Sequence, residues 1–288
     1  MNRIVFPRSA AKPLQCLALA SLNPDLSKRE YAVICSSHNG QFEHVETVQE
    51  LLKRNNLTED DLVCGGHWSL DFKTSLDQIR KLDRPKTLLS NCSGKHTGMV
   101  ILSQILNISH LGYENLNHPV QKQIIKTINS IMGLNILNYP VGVDGCGVPA
   151  FSAPIKNWAT AFARFASGEN LSSDLANACK KITLSIAEEP LMIAGERRIC
   201  TEIARSFGNK ITAKMGAEGV YVCSLNDKGL GLFLKCRDGS KRAVEFALGS
   251  ILETLKYKPS SDLKKLFNPK IYNWAGKEIG LKSIKNIF

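Results

Sequence analysis

Apolar positions recur at helical spacing through the middle of the chain. Over residues 45–52, Val45, Val48, Leu51 and Leu52 fall three and four apart, which lines them along one face of an α-helix. Residues 97–106, 120–132, 158–165 and 175–186 repeat the pattern, and residues 242–255 place Val244, Phe246, Ala247, Ile251 and Leu255 on one stripe. Three runs have strand character instead. Residues 31–35 form a compact apolar run closed by Ser36-Ser37-His38, and residues 219–224 and 230–236 flank Leu225-Asn226-Asp227-Lys228-Gly229, a composition suited to a hairpin connection. Thr58-Glu59-Asp60-Asp61 reads as a polar turn or cap. A strand, a helical middle, then strands and a helix predict an α+β sandwich whose antiparallel sheet draws on both ends of the chain. Residues 1–288 are expected to form a single domain, mostly helical over 40–205, with sheet strands plus a helix over 211–288. The Lys-rich stretch from Lys256 to Lys285, interleaved with Trp274, Ile279 and Leu281, reads as a last strand or surface segment.

Composition narrows the class. With 288 residues, 43% hydrophobic and 22% charged, the chain is an ordinary globular protein with room for a large core, not a stapled mini-protein, a collagen or a disordered segment. A net charge of +11 keeps nucleic acid in view, yet the basic residues are dispersed with few interleaved aromatics and no nucleic-acid-binding module, which argues against that partner. Nine scattered cysteines behind an N-terminus without an apolar signal core point to reduced thiols and a cytoplasmic location. No window approaches 18 uncharged apolar residues, so no membrane span is expected.

Four stretches could carry chemistry. Arg8-Ser9-Ala10-Ala11-Lys12-Pro13 contains Ser-x-x-Lys. If a helix begins near Ser9, Lys12 shares a face with its hydroxyl and, when partly neutral, can accept the hydroxyl proton; a serine cap followed by a solvated lysine fits the same letters. Asn91-Cys92-Ser93-Gly94-Lys95-His96-Thr97-Gly98 is not a phosphate loop, because Leu89 occupies the first glycine position and His96 the magnesium-binding Ser/Thr position. It reads as a polar, glycine-containing approach to a helix, with a thiol and an amine three residues apart. Val143-Asp144-Gly145-Cys146-Gly147-Val148-Pro149 implies a tight loop fixing Asp144 and Cys146 on one side. Cys92 and Cys146 supply two soft zinc ligands, fewer than an ordinary zinc site uses. Cys35-Ser36-Ser37-His38, Gly65-Gly66-His67 and Lys214-Met215-Gly216 add a hydroxyl, two imidazoles and an amine whose meeting depends on the fold. Gly195-Glu196-Arg197-Arg198 reads as a charged turn into a helix.

In their order along the chain these stretches, with Cys64-Gly65-Gly66-His67, Asp144-Gly145-Cys146 and Ala194-Gly195-Glu196-Arg197, resemble the rhizobial-type (thermolabile, type II) L-asparaginase family. The resemblance implies a fold like that of serine β-lactamases, penicillin-binding proteins and glutaminases, and hydrolysis of L-asparagine to L-aspartate and ammonia. It places the family's Ser-Lys pairs on Ser9 with Lys12 and on Ser37 with Lys214, and its zinc-binding positions on Cys92, Lys95 and Cys146. Arg8, His67 and Asp144 fall at substrate-contacting positions, and Cys200 at a further site cysteine. Zinc is then expected to shape the pocket rather than carry the chemistry, and the resemblance implies a homodimer. Family members carry a longer segment ahead of the first Ser-Lys pair, a hairpin of the central sheet, which this chain is expected to lack. Two alternatives stay open: a shortened, inactive remnant or binding protein of the family, and a glutaminase or other Ser-x-x-Lys hydrolase. The Ser-Asp-Asn and Lys-Thr-Gly signatures of the penicillin-recognising branch are absent.

Overall fold

The computed structural model describes residues 2–282. In chain order its elements are β1 (Ile4–Val5), α1 (Lys12–Ala20), α2 (Lys28–Ile34), α3 (Phe42–Arg54), α4 (Phe72–Lys81), α5 (Ser93–Ile105) and α6 (Pro119–Met132). Then come β2 (Val141–Val143), β3 (Pro149–Phe151), β4 (Ala153–Pro154), α7 (Ile155–Ser167), α8 (Ser173–Glu188) and α9 (Ile199–Phe207). The chain continues through β5 (Ile211–Gly216), β6 (Val220–Leu225), β7 (Leu230–Lys235), α10 (Lys241–Thr254), α11 (Ser261–Phe267), β8 (Ile271–Tyr272) and β9 (Glu278–Gly280). Mixed helices and small antiparallel sheets make this an α+β fold, as the hydrophobic pattern predicts.

The largest sheet is the antiparallel meander β5-β6-β7, in which Lys214 pairs with Val222 and Val222 with Phe233. Helices cover both faces. Thr212 reaches Thr183 of α8 and Ser224 reaches the Phe162 carbonyl of α7 on one side, while Tyr221 meets Cys200 of α9 on the other. Double coverage explains why every residue of β6 is buried and why its sequence does not alternate. On the helical side α1 touches α2, α5, α6 and α8, and every residue of it except Gln15 is buried.

Two expectations need correction. Residues 31–35 are not a strand: they lie in α2 and its C-terminal cap, opened by a capping box between Ser27 and Glu30. Tyr31, Ala32, Val33 and Ile34 are all buried, so the run carries no amphipathic period, and β-branched content alone resembles a strand. The main sheet therefore does not draw on both ends of the chain; its three strands lie within residues 211–235, and the first strand, β1, pairs with β4 instead.

The helices expected over 45–52, 97–106, 120–132, 158–165, 175–186 and 242–255 are present, each beginning one to four residues earlier. Thr58 caps a short 3-10 turn over Glu59–Asp61. The Lys-rich stretch contains α11 and the β8–β9 hairpin, and its residues 283–285 lie outside the described residues. Among the described residues no helix is long and apolar enough to cross a membrane, and all nine cysteines are free thiols.

Close backbone contacts hold the elements that matter for chemistry. A Cβ at Gly94 would stand 2.3 Å from the Val33 carbonyl oxygen, so α5 lies flush against the end of α2. At Gly216 it would stand 2.2 Å from the Pro7 carbonyl oxygen, so the end of β5 abuts the 3-10 turn Arg8–Ala11 that leads into α1.

Candidate active site

Three segments distant in sequence converge on one hydroxyl. Ser37 follows α2 in an extended stretch, its N–H donating to Ile193 O at 3.2 Å, while Asn39 N–H donates to Ala194 O at 2.8 Å. Lys12 enters from the first turn of α1 and Lys214 from β5. Ser37 Oγ lies 3.1 Å from Lys12 Nζ and 2.9 Å from Lys214 Nζ. Exposure of the three residues is 4%, 1% and 1%. Lys12 Nζ also donates to Ser36 O at 2.5 Å and Asn91 O at 3.1 Å, giving it three oxygen partners for the three N–H groups of an ammonium. Lys214 differs. Burial lowers its pKa to about 7, with Lys12 and Arg198 pushing the same way and Cys200 opposing. A neutral amine beside a hydroxyl is a base, and an ammonium on the opposite side can stabilise the developing oxyanion.

Ser9 shares a turn with Lys12, whose backbone N–H donates to Ser9 O, but the Ser9 hydroxyl makes no hydrogen bond to Lys12 Nζ; the hydroxyl that Nζ meets is that of Ser37. Ser9 is half-buried in a small cleft with Arg8, Gln15, Lys95 and Asp144. Arg8 Nε and Nη2 both donate to Asp144 Oδ1, at 3.0 and 2.7 Å, and Nη1 donates to Glu218. Burial opposes the Asp144 charge, yet the Arg8 hydrogen bond prevails and holds its carboxyl below the usual range. Asp144 sits in the tight loop foreseen between Val143 and Pro149, closed by Gly147 N–H to Asp144 O at 2.8 Å.

That loop also brings Cys146 to Lys95, with Nζ 2.9 Å from Sγ. Cys92, at the N-cap of α5, shares a thiol hydrogen bond with Cys146 that lowers the Cys92 pKa, and the nearby ammonium groups of Lys12 and Lys95 reinforce this. Burial opposes the Lys95 charge, but Cys92 and Cys146 outweigh it and raise its pKa. Two thiols and an amine thus meet in one buried spot. Among the described residues no trio of His, Cys, Asp or Glu gathers as a metal site, so any ion here would rely on the lysine.

The remaining candidates support these groups. His67 Nε2 accepts the Asn91 N–H at 2.9 Å while Nδ1 faces Trp68 O at 2.7 Å, which fixes a neutral imidazole behind the carbonyl that holds Lys12. His38 Nδ1 accepts the Gly40 N–H, and Nε2 lies 2.9 Å from Ser93 Oγ, tying the Ser37 stretch to α5. His38 also stacks on His44 at 5.0 Å. Cys200 contacts Tyr221 OH at 3.0 Å. The structure adds Asn39, which lies outside every motif, and gives roles to Asn91 and Arg198, which the motifs contain only as flanking residues: Asn91 acts through its backbone carbonyl and N–H, and Asn39 meets Arg198 through its side chain.

A family model described as Asparaginase_II, L-asparaginase II, matches residues 1–284 of the chain. No curated protein sequence matches it.

Proposed function

The chain belongs to the L-asparaginase II family, and from that premise we propose that it hydrolyses the side-chain amide of L-asparagine by Ser-Lys nucleophilic catalysis. The observation that carries the reading is Ser37 Oγ held between Lys12 and a Lys214 whose pKa lies at about 7. Neutral Lys214 takes the Ser37 proton as Oγ bonds to the amide carbon, and the Lys12 ammonium stabilises the resulting oxyanion. Collapse breaks the C–N bond while protonated Lys214 gives its proton to the departing nitrogen, releasing ammonia. Water then attacks the ester and gives a proton to Lys214, and as the C–Oγ bond breaks Lys214 passes that proton to Ser37 Oγ, leaving aspartate, a free Ser37 hydroxyl and a neutral Lys214.

A second reading assigns the attack to Ser9, with Ser37 passing its proton between the lysines. It is favoured by exposure, since Ser9 is half-buried in the cleft whereas Ser37 is enclosed. Asp144 Oδ2 accepts no hydrogen bond from the described residues, which suits it to the substrate ammonium. Cys92, Lys95 and Cys146 would hold a zinc ion through two thiolates and a neutral amine. When bound, it would supply a positive charge that binds the thiolates and ties α5 to the loop after β2. The helix-covered antiparallel sheet and the buried α1 that follows the Ser-Lys turn support a single β-lactamase-like domain.

The test is ammonia release from L-asparagine and, separately, from L-glutamine. Ser37→Ala is expected to cost about a thousandfold or more in kcat with the thermal midpoint nearly unchanged. If Ser9→Ala shows that loss and Ser37→Ala does not, the second reading replaces the first. Release from glutamine alone would make the enzyme a glutaminase.

A further inference from the structure

The arginines of the Ser9 turn, the Gly195–Arg198 turn and α9 differ in what neutralises them. Arg8 is engaged by Asp144 and Glu218, Arg197 by Asp71, and Arg205 by Glu196 and Glu202. Arg198 has no such partner. Among the described residues no carboxylate lies within ion-pair distance of it, and its Nη1 donates to Asn39 Oδ1 at 2.5 Å. Glu245, whose charge feels Arg198, is instead paired with Lys241 of its own helix at 3.5 Å.

The position of Arg198 follows from backbone pairing. The 37–39 stretch docks on residues 193–194 through Ser37 N–H to Ile193 O and Asn39 N–H to Ala194 O, and the turn after Ala194 delivers Arg198 to the Asn39 side chain. Asn39 Nδ2 donates to Glu196 O at 3.2 Å, which braces the same turn. Arg198 is half-buried, and its charge acts on buried Lys214. Lys12 and Lys214 both meet the buried Ser37, and Arg198, held on Asn39 two residues along the same stretch, adds a third cation that no carboxylate pairs with. An arginine that is half desolvated beside other cations gains most from an anion that arrives with the ligand.

We propose that Arg198, oriented by Asn39, binds the α-carboxylate of the amino-acid substrate, while Arg8 serves to fix Asp144. The guanidinium offers the flat two-donor edge that a carboxylate matches. This rests on the amidohydrolase reading for its reaction but not for its binding chemistry.

The experiment compares L-asparagine with L-asparaginamide, which has the same side chain and no α-carboxylate, and adds L-aspartate binding followed by calorimetry. For Arg198→Gln, the ratio of kcat/KM for asparagine over asparaginamide is expected to fall about 100-fold, the scale of a charged hydrogen bond. Arg198→Lys should recover part of the ratio, and Arg8→Gln should leave it alone. An unchanged ratio in Arg198→Gln, or a carboxylate-selective loss in Arg8→Gln, overturns the assignment while leaving the asparaginase reading intact. If the wild-type chain releases no ammonia, aspartate binding that is present there and lost in Arg198→Gln supports the carboxylate site and removes the activity. Absence of aspartate binding from both in that case overturns the assignment.

Discussion

A lysine nitrogen is chemically defined by its neighbours, and Lys12 and Lys214 show how two of them on one hydroxyl separate in role. Lys12 is surrounded by oxygens, whereas Lys214 has fewer partners and is lowered to about 7 by burial, aided by Lys12 and Arg198. A base must be unprotonated, so kcat/KM is expected to rise with pH through about 7 and level off above it. Removing a nearby cation favours the protonated form of Lys214. Lys12→Met should therefore move that rise to higher pH, in addition to slowing turnover; steady-state kinetics from pH 5 to 9 reads both effects. None of this is visible in the letters, because Ser9 and Lys12 are three apart in sequence while Ser37 and Lys214 are not neighbours at all.

Among the elements, the α2–α5 contact sets the geometry of the site. α2 delivers Ser37, and α5 carries Cys92 at its N-cap and Lys95 in its first turn. Their separation is set where Gly94 meets the Val33 carbonyl, a backbone oxygen that cannot rotate away. Gly94→Ala is expected to destabilise the protein by about 1 to 3 kcal/mol, the usual cost of overpacking, and to lower activity by displacing Lys95. Urea denaturation alongside the ammonia assay checks this. The helix α5 was readable from its periodicity, but the need for glycine at position 94 was not, since it arises from a chain segment about sixty residues earlier. α2 departs from its expected strand for a related reason: residues 31–34 are all buried, so that stretch loses the polar stripe by which helices are recognised.

At the scale of the molecule, buried imidazoles make the fold sensitive to acid. Burial lowers the His44 pKa from 6.5 to about 4, and the stacked His38 moves in the same direction, with burial again the main cause. Between these limits the unfolded chain takes up a proton that the folded chain refuses. Stability is therefore complete above pH 6.5 and falls as pH drops toward 4, by about 3 kcal/mol for His44 alone. Denaturant titrations across that range should show the slope, and His44→Gln should flatten it. The sequence by itself determined the α+β class, the hairpin after residue 219, the amphipathic helices and the Ser-Lys, Cys-Lys and Asp-Gly-Cys segments, because each is a local pattern of spacing and turn chemistry. Only the tertiary structure decided that Lys12 meets Ser37, that Lys95 meets Cys146, that Arg8 is neutralised and that Arg198 is not. Those outcomes depend on which segments touch and how much water they exclude, and neither quantity is written in the spacing of residues along a chain.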